Sequence, residues 1–224
     1  MWSAILGVVA VLGIQDALAN HDGVGKDDKT ITIASMGTSL TANYRWPREL
    51  AEQLSKCLVR KVDVEILAIP GANSSQADKQ FSSRKNRRPN IVLIEFATND
   101  ADYLRGVGLT KSRSSHKELL IRIRKEVPRA QVVLMTMSPV FGLRGWVRPQ
   151  LAAYYGMYRE LAENNGAVLI DLVPIWGKFL GATGAEKLPD GLHPTENAAS
   201  RIILPEARKK IGDLLKTSDQ SCGE

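Results

Sequence analysis

The sequence is poor in cysteine, in aromatic residues and in long hydrophobic runs, and each shortage excludes a class of protein. Only 2 of the 224 residues are cysteine, too few for a disulfide-rich miniprotein, and neither has the Cys/His spacing of a metal site. Aromatic residues make up 6% of the chain, which argues against the stacking platforms that bind nucleic acids. The composition, 44% hydrophobic and 24% charged, is that of one ordinary globular domain.

The charge balance is mildly basic. The 30 Lys and Arg against 24 Asp and Glu give a formal net charge of +6, which suits anionic partners in general. Binding of nucleic acid would also require a basic face with interleaved aromatic residues. We therefore expect no nucleic-acid partner. The one unusually basic stretch, residues 82–89, favours a solvated loop over a ligand site.

The apolar run that stands out lies at the N-terminus. Residues 4–14 are apolar, and Ala17-Leu18-Ala19 supplies the small-x-small pattern of a signal-peptidase site. The run is shorter than the roughly 20 residues that span a bilayer. Because residues 1–3 contain no Lys or Arg, an uncleaved anchor or a misassigned start remains the alternative. We predict an exported protein, periplasmic or extracellular, without a membrane span. Its segments are a cleaved signal peptide over 1–19, a tail over 20–29, a domain over 30–216 and a tail over 217–224.

The two cysteines leave two alternatives open. In an exported chain Cys57, in a predicted helix, and Cys222, near the C-terminus, can pair and hold the tail against the domain. The alternative is a buried Cys57 and an unpaired tail thiol, because sequence does not give the separation that a disulfide requires.

After the leader, apolar β-type runs alternate with amphipathic stretches. Five runs predict strands: Thr30–Met36, Val62–Ile69, Ile91–Phe96, Gln131–Met137 and Ala167–Asp171. The spacing of apolar residues predicts helices over Trp46–Leu58, 112–126, Leu151–Leu161 and Thr195–Leu215. This alternation predicts a three-layer α/β/α domain with a mostly parallel five-stranded sheet. In such sheets ligands bind at the carboxyl ends of the strands.

Four polar groups stand at or near those strand ends. They are Gly37–Thr41, Pro70–Asn73, Ala97–Asp100 and, near the C-terminus, Asp190–Pro194. Each group alone is more typical of a turn or a helix cap.

Together the four groups supply the parts that acyl transfer needs. Ser39 offers a hydroxyl on a strand-to-helix turn, His193 a base, and Asp190, three residues earlier, an acid that can orient the imidazole. Gly71 allows a backbone N–H to approach a substrate oxygen, and Asn99 offers a side-chain N–H. Asp171, at the end of the fifth predicted strand, is the alternative acid partner for the histidine, with a turn-capping role as its simpler interpretation.

At these residues the chain resembles the SGNH (GDSL-type) serine hydrolases. Their G-D-S-L block corresponds to Gly37-Thr38-Ser39-Leu40, their second-block glycine to Gly71, their G-x-N-D block to Ala97-Thr98-Asn99-Asp100, and their D-x-x-H block to Asp190-Gly191-Leu192-His193. The resemblance implies a flavodoxin-like SGNH hydrolase fold and a Ser39-His193-Asp190 catalytic triad. It also implies an oxyanion hole of the Ser39 N–H, the Gly71 N–H and Asn99, and no metal or organic cofactor.

Two positions depart from the family blocks. Thr38 replaces an acidic residue that supports the nucleophile turn, and Ala97 replaces a glycine. The extra methyl of Ala97 would narrow the oxyanion region, or strain the backbone if the glycine has a positive φ. Neither change removes a catalytic atom.

The substrate is less constrained than the chemistry. Residues 139–148 either line a trough for an acyl chain or fold onto the core, and Arg144 and Arg148 beside Trp146 suit an acidic sugar. We expect an esterase for short acyl groups on carbohydrate or small esters, with Trp146 and Arg144 binding substrate. The alternatives are a lysophospholipase or acyl thioesterase for longer chains, and a non-catalytic glycan-binding protein of the same fold.

Overall fold

The computed structural model describes residues 30–180 and 184–215. The predicted signal peptide, both predicted tails and Cys222 lie outside the described residues. Cys57 lies in the second helix, packs against the core and is disulfide-bonded. Within the described ranges, no helix has the length and apolar character to cross a membrane.

A five-stranded, wholly parallel sheet forms the centre of the domain. Its strands are β1 (Ile31–Gly37), β2 (Val62–Ile66), β3 (Ile91–Glu95), β4 (Gln131–Met135) and β5 (Val168–Ile170). They lie in the order β2-β1-β3-β4-β5, and every neighbouring pair is parallel. The predicted α/β fold is confirmed. In this order the chain reverses its direction of travel between β1 and β3, which is where such sheets open a crevice for ligands.

Helices cover both faces of the sheet. In chain order they are α1 (Ser39–Ala42), α2 (Trp46–Leu58), α3 (Ala77–Ser82), α4 (Ala97–Asp100), α5 (Leu109–Glu126), α6 (Gly142–Trp146), α7 (Leu151–Asn164), α8 (Val173–Leu180), α9 (Gly184–Lys187) and α10 (Glu196–Leu215), with a 3₁₀ turn at Ser74–Gln76. The four predicted helices correspond to α2, α5, α7 and α10. The other six helices within the described ranges have eight residues or fewer.

Two apolar clusters fill the space between the sheet and its helices. One joins Ile33 of β1 to α2, α8 and α10, and the other joins Met36 of β1 to α3, α5 and α7. Successive residues of a strand point to opposite faces, so one buried strand supplies both clusters. The central strands β1 and β3 are therefore buried on both faces along their whole length, whereas the edge strand β2 exposes Asp63.

The basic stretch at 82–89 is only partly solvated, which corrects the sequence-based interpretation. Arg84 is buried, donates to the carbonyl of Phe81 at 2.6 Å and pairs with Glu126 at 2.6 Å. This segment leads into the amino end of β3, at the edge of the sheet opposite the carboxyl ends.

Candidate active site

Ser39 lies on a sharp turn between β1 and α1. Gly37 ends the strand with a φ of +154°, and a Cβ there would collide with the Glu95 carboxylate. Thr38 caps α1 by accepting a hydrogen bond from the Leu40 N–H at 3.2 Å. Ser39 is the first residue of the helix and is 8% exposed. The turn therefore presents the Ser39 hydroxyl at the carboxyl end of the central strand.

A chain of hydrogen bonds joins Ser39, His193 and Asp190. Ser39 Oγ lies 2.9 Å from His193 Nε2, and His193 Nδ1 lies 2.8 Å from Asp190 Oδ2. Burial raises the pKa of Asp190, but hydrogen bonds from the backbone and side chain of His193 and from the Leu192 N–H outweigh it and lower the pKa to about 2. Because an ionised carboxylate only accepts, His193 Nδ1 donates to it, and Nε2 accepts from the Ser39 hydroxyl.

The turn that carries Asp190 and His193 is held by two other loops. The Tyr44 hydroxyl donates to the carbonyl of Pro194 at 2.8 Å. The Phe141 N–H donates to the carbonyl of Gly191 at 2.7 Å, and Gly191 has a φ of +79°. These contacts fix the imidazole from the α1 side and from the loop before α6.

Three candidate oxyanion donors lie beside Ser39. Asn99 Nδ2 donates one hydrogen to the carbonyl of Ala72 at 2.8 Å, which leaves its second hydrogen for the cavity. Gly71 adopts a φ of +77°, which favours glycine. Among the described residues, the N–H groups of Ser39 and Gly71 have no hydrogen-bond acceptor. Ser39, Gly71 and Asn99 line one cavity with His193, so the structure brings the predicted donors together.

The two departures from the family blocks have physical explanations. Thr38 donates through its hydroxyl to Glu95, which also accepts from the Thr38 N–H at 2.6 Å and from the Thr41 hydroxyl at 2.8 Å. Burial raises the pKa of Glu95 to about 7, against the hydrogen bonds from Thr38 and Thr41, which lower it. Ala97 opens α4, packs in the apolar core and has no positive φ. Its methyl group is absent from the residues that line the cavity over Ser39.

The alternative prediction, that Asp171 is the acid partner of His193, is wrong. Asp171 accepts from the Arg159 guanidinium at 2.8 Å and from the Thr136 hydroxyl at 2.8 Å. His116, the other histidine among the described residues, is buried, donates to the carbonyl of Ser112 and accepts from the Tyr158 hydroxyl. Burial lowers the pKa of His116, which makes it a neutral part of the core.

The two residues predicted to bind substrate, Arg144 and Trp146, line different cavities. Arg144 lines the cavity over Ser39, whereas Trp146 lines a neighbouring cavity on the other side of α6 and is 80% exposed. Arg148, which the sequence pattern also favoured for an acidic sugar, is buried and pairs with Asp102 at 3.0 Å. The segment 139–148 thus neither folds fully onto the core nor faces Ser39 with its aromatic side chains.

Several residues near the triad are not among those that the sequence predicts for the site. Glu95 had a visible signal, because it is the one charged residue in the apolar run 91–96. Tyr44, Asp102 and Arg105 lie in loops without any pattern, so only the folded chain shows their proximity to the triad. Within the described ranges, no group of three or more His, Cys, Asp and Glu residues could hold a metal ion.

The cavity over Ser39 is small, and most of the described residues that line it are polar or charged. Its volume is about 300 Å³, and its lining is Ser39, Asn43, Pro70, Gly71, Asn99, Asp102, Arg105, Arg144, Arg148, Leu192 and His193. The neighbouring cavity of about 550 Å³ is mainly apolar, with Phe141, Trp146 and Leu151 in its wall. Ser39 does not line it.

Comparison with known proteins gives a family and a fold. A model of the GDSL-like Lipase/Acylhydrolase family matches residues 23–200. The chain is similar in structure to Axe2, an acetylxylan esterase from Geobacillus stearothermophilus, with 16% identity, a TM-score of 0.69, and coverage of 84% of this chain and 97% of that one. It is also similar to LAE5, an alpha/beta hydrolase enzyme from the metagenome of Lake Arreo, Spain, with 17% identity, a TM-score of 0.70 and the same coverage. No curated protein sequence matches the chain.

Proposed function

The chain belongs to the GDSL-like lipase/acylhydrolase family and is a carboxylic ester hydrolase, and from this premise we propose that it acts through a covalent acyl-Ser39 intermediate. The observation that carries the proposal is the continuous hydrogen-bonded chain from Ser39 Oγ through His193 to Asp190, with links of 2.9 and 2.8 Å. A serine hydroxyl is a weak nucleophile unless an oriented base removes its proton. The low pKa of Asp190 keeps that orienting charge in place over the neutral pH range.

The reaction proceeds in two symmetrical halves. The Ser39 oxygen attacks the ester carbonyl while His193 Nε2 takes its proton, and Asp190 stabilises the imidazolium. The same Nε2 then gives the proton to the departing alcohol, which leaves the acyl group on Ser39. Water enters, loses a proton to His193 and attacks the acyl-enzyme, and the acid leaves as Ser39 recovers its proton.

The negative charge that develops on the carbonyl oxygen needs donors already in place. We assign this role to the N–H groups of Ser39 and Gly71 and to the second amide hydrogen of Asn99. The backbone at Ser39 is fixed by the cap of α1, and the Asn99 amide is oriented by its hydrogen bond to the Ala72 carbonyl. Such preorganised donors lower the barrier because they need not reorient during the reaction.

The preferred acyl group is short. The cavity over Ser39 has a volume of about 300 Å³, and most of the residues that line it are polar or charged, so it holds an acetyl-like group and part of a polar alcohol better than a long alkyl chain. The structural similarity to an acetylxylan esterase supports carbohydrate esters as the substrate class. Export after signal-peptide cleavage, which the first 19 residues predict, would place the enzyme where polysaccharides occur.

A second candidate is hydrolysis of longer acyl esters, such as lysophospholipids or acyl thioesters. The specific observation in its favour is the apolar cavity of about 550 Å³ beyond α6, with Phe141 and Trp146 in its wall. Arg148 lines both cavities. In this second candidate Trp146 binds the acyl chain; in the preferred one it contacts the sugar at the rim.

Two measurements test the proposal. Rates on p-nitrophenyl esters of increasing chain length should peak at acetate or propionate, and a peak at long chains would favour the second candidate. A fluorophosphonate probe should label the wild type and the Ser82→Ala control, whose serine is exposed on α3, but not Ser39→Ala. Absence of labelling in the wild type would instead indicate a non-catalytic glycan-binding protein.

A further inference from the structure

The cavity over Ser39 contains more positive than negative charge. Among the described residues, three arginines line it, Arg105, Arg144 and Arg148, against one acidic residue, Asp102. The carboxylate of Asp190 lies beside the cavity. The distribution of these charges decides what the cavity can bind.

Arg148 and Asp102 neutralise each other and belong to the framework. Their side chains are 3% and 4% exposed and pair at 3.0 Å. Arg148 also donates to the carbonyls of Thr98 at 2.8 Å and Arg144 at 3.1 Å. Burial lowers the pKa of Arg148, Asp102 raises it, and the charges of Arg144 and Arg105 lower it. Arg105 and Arg144 are therefore both close enough to Arg148 for their charges to act on it.

Arg105 shares its carboxylate partner with another arginine. Its side chain is 74% exposed and lies 3.7 Å from Asp102 Oδ2, the same oxygen that Arg148 holds at 3.0 Å. The backbone at this position is nevertheless fixed, because the carbonyl of Arg105 accepts from Asn73 Nδ2 at 3.3 Å. A fixed backbone with an exposed guanidinium can present its donors to a ligand.

Arg144, which also lines the cavity, is in the same situation. Its side chain is 40% exposed and lies 3.5 Å from Asp190 Oδ2, which already accepts from His193 Nδ1 at 2.8 Å. The carbonyl of Arg144 accepts from the buried Arg148, which fixes its backbone. Arg105, in the loop after α4, and Arg144, in α6, thus share carboxylates that other groups hold more tightly.

We propose that Arg105 and Arg144 form an oxyanion-binding subsite beside Ser39, and that the natural ester carries a carboxylate or phosphate group on its alcohol part. Guanidinium groups bind such oxyanions with paired, charge-assisted hydrogen bonds. The anion belongs to the alcohol because a short acyl group occupies the space at Ser39, whereas both arginines are exposed. This inference rests on the proposed function and specifies its substrate.

The test compares matched acetyl esters that differ in charge. The substrates are 4-acetoxybenzoate, its neutral methyl ester and 4-acetoxyphenyl phosphate. The enzymatic rate on each ester is divided by the rate at which hydroxide hydrolyses the same acetyl ester, which corrects for differences in leaving-group reactivity. The measured quantity is the ratio of kcat/KM for anionic over neutral ester. The enzymes are the wild type, Arg105→Gln, Arg144→Gln, the double variant and Arg124→Gln. Arg124 lies in the last turn of α5, before the amino end of β4, and serves as the matched loss of charge.

The wild type should favour an anionic ester, and each single variant should lower the ratio about tenfold, as expected for one charge-assisted hydrogen bond. Arg124→Gln should keep the wild-type ratio. The ratio cancels any general effect of Arg144 on the triad through Asp190. Comparison of the carboxylate and phosphate substrates shows which of the two groups the natural ester carries.

A wild-type ratio at or below one, or a ratio unchanged in the double variant, would overturn the subsite. If Ser39→Ala hydrolysed these esters as fast as the wild type, the proposed function itself would fail. The two failures are therefore distinguishable in one set of assays.

Discussion

Asn99 divides its amide between the fold and the cavity. One hydrogen of Nδ2 is bound to the Ala72 carbonyl at 2.8 Å, and the other is available to a substrate oxyanion. We expect Asn99→Ala to lower kcat by about 100–1000-fold, the usual cost of one oxyanion donor, with a smaller change in KM. Steady-state kinetics on p-nitrophenyl acetate measure both constants. Ser39→Ala should be more severe, and equal losses in the two variants would contradict the assignment.

Glu95 is a buried acid whose ionisation opposes stability. Its pKa is raised from 4.5 to about 7, first by burial, while the hydrogen bonds from Thr38 and Thr41 act in the opposite direction. Between these two values the folded state binds the proton that the unfolded state has lost. The free energy of unfolding therefore falls as pH rises through this window, by about 3 kcal/mol from this group.

The variant Glu95→Gln removes this ionisation. An amide keeps an acceptor for the Thr38 N–H and a donor for its hydroxyl but does not ionise. Its free energy of unfolding relative to the wild type should therefore increase as pH rises from 4.5 to 7, as measured by urea denaturation across that range. The same substitution at Glu118, exposed on α5, is the control. A difference that is independent of pH would refute the role given to burial.

At the scale of elements, the D-x-x-H turn depends on one glycine. Gly191 has a φ of +79°, and a Cβ there would collide with the carbonyl of Phe141. Gly166 also has a positive φ, +57°, but an added Cβ would meet open space. Gly166→Ala should therefore cost only the backbone strain, about 1 kcal/mol.

Gly191→Ala should cost more stability than Gly166→Ala and should also displace His193. We expect its kcat to fall at least about tenfold, while Gly166→Ala keeps the wild-type kcat. Thermal unfolding and esterase kinetics on the two variants check both statements. Equal kcat values would show that the turn adapts to the added methyl group.

The sequence predicts long elements better than short ones. α2 has Pro47 in its first turn and a stripe of leucines, so its periodicity is visible. Helices such as α1, α4 and α6 have four or five residues, which is little more than one turn and too short to show a period. Their existence depends on caps and tertiary contacts, such as the bond of Thr38 to Glu95, that no local pattern contains.

The residues of the candidate site likewise divide into those that a local sequence pattern predicts and those that depend on tertiary contacts. Ser39, Asn99 and the Asp190–His193 pair could be found because they follow strands or share one tight turn. The burial of Arg148 against Asp102 could not be predicted, because 46 residues separate the two and neither lies in a motif. The exposure of Trp146 on α6 was equally invisible, since an aromatic residue in a loop packs inward as readily as outward.

At the scale of the whole molecule, the topology explains why the site lies where it does. β1 and β3 are neighbours in the sheet, and Gly37 at the end of β1 pairs with Glu95 at the end of β3. The loops that follow these strands therefore begin side by side and leave in different directions around the sheet. Ser39 and Asn99 meet in the crevice between them, and the loop after β2 brings Gly71 from the other side.

The hydrogen bond between Ser39 and His193 spans 154 residues of sequence, and this separation has a consequence for the order of folding. Contacts between distant parts of a chain close late, and domains of more than about 150 residues often pass through intermediates. On dilution from denaturant, far-ultraviolet circular dichroism should therefore recover before esterase activity does. Simultaneous recovery would contradict this order. Ester hydrolysis by this chain thus reports completed folding. Until Ser39 and His193 have come together, the molecule has no activated nucleophile.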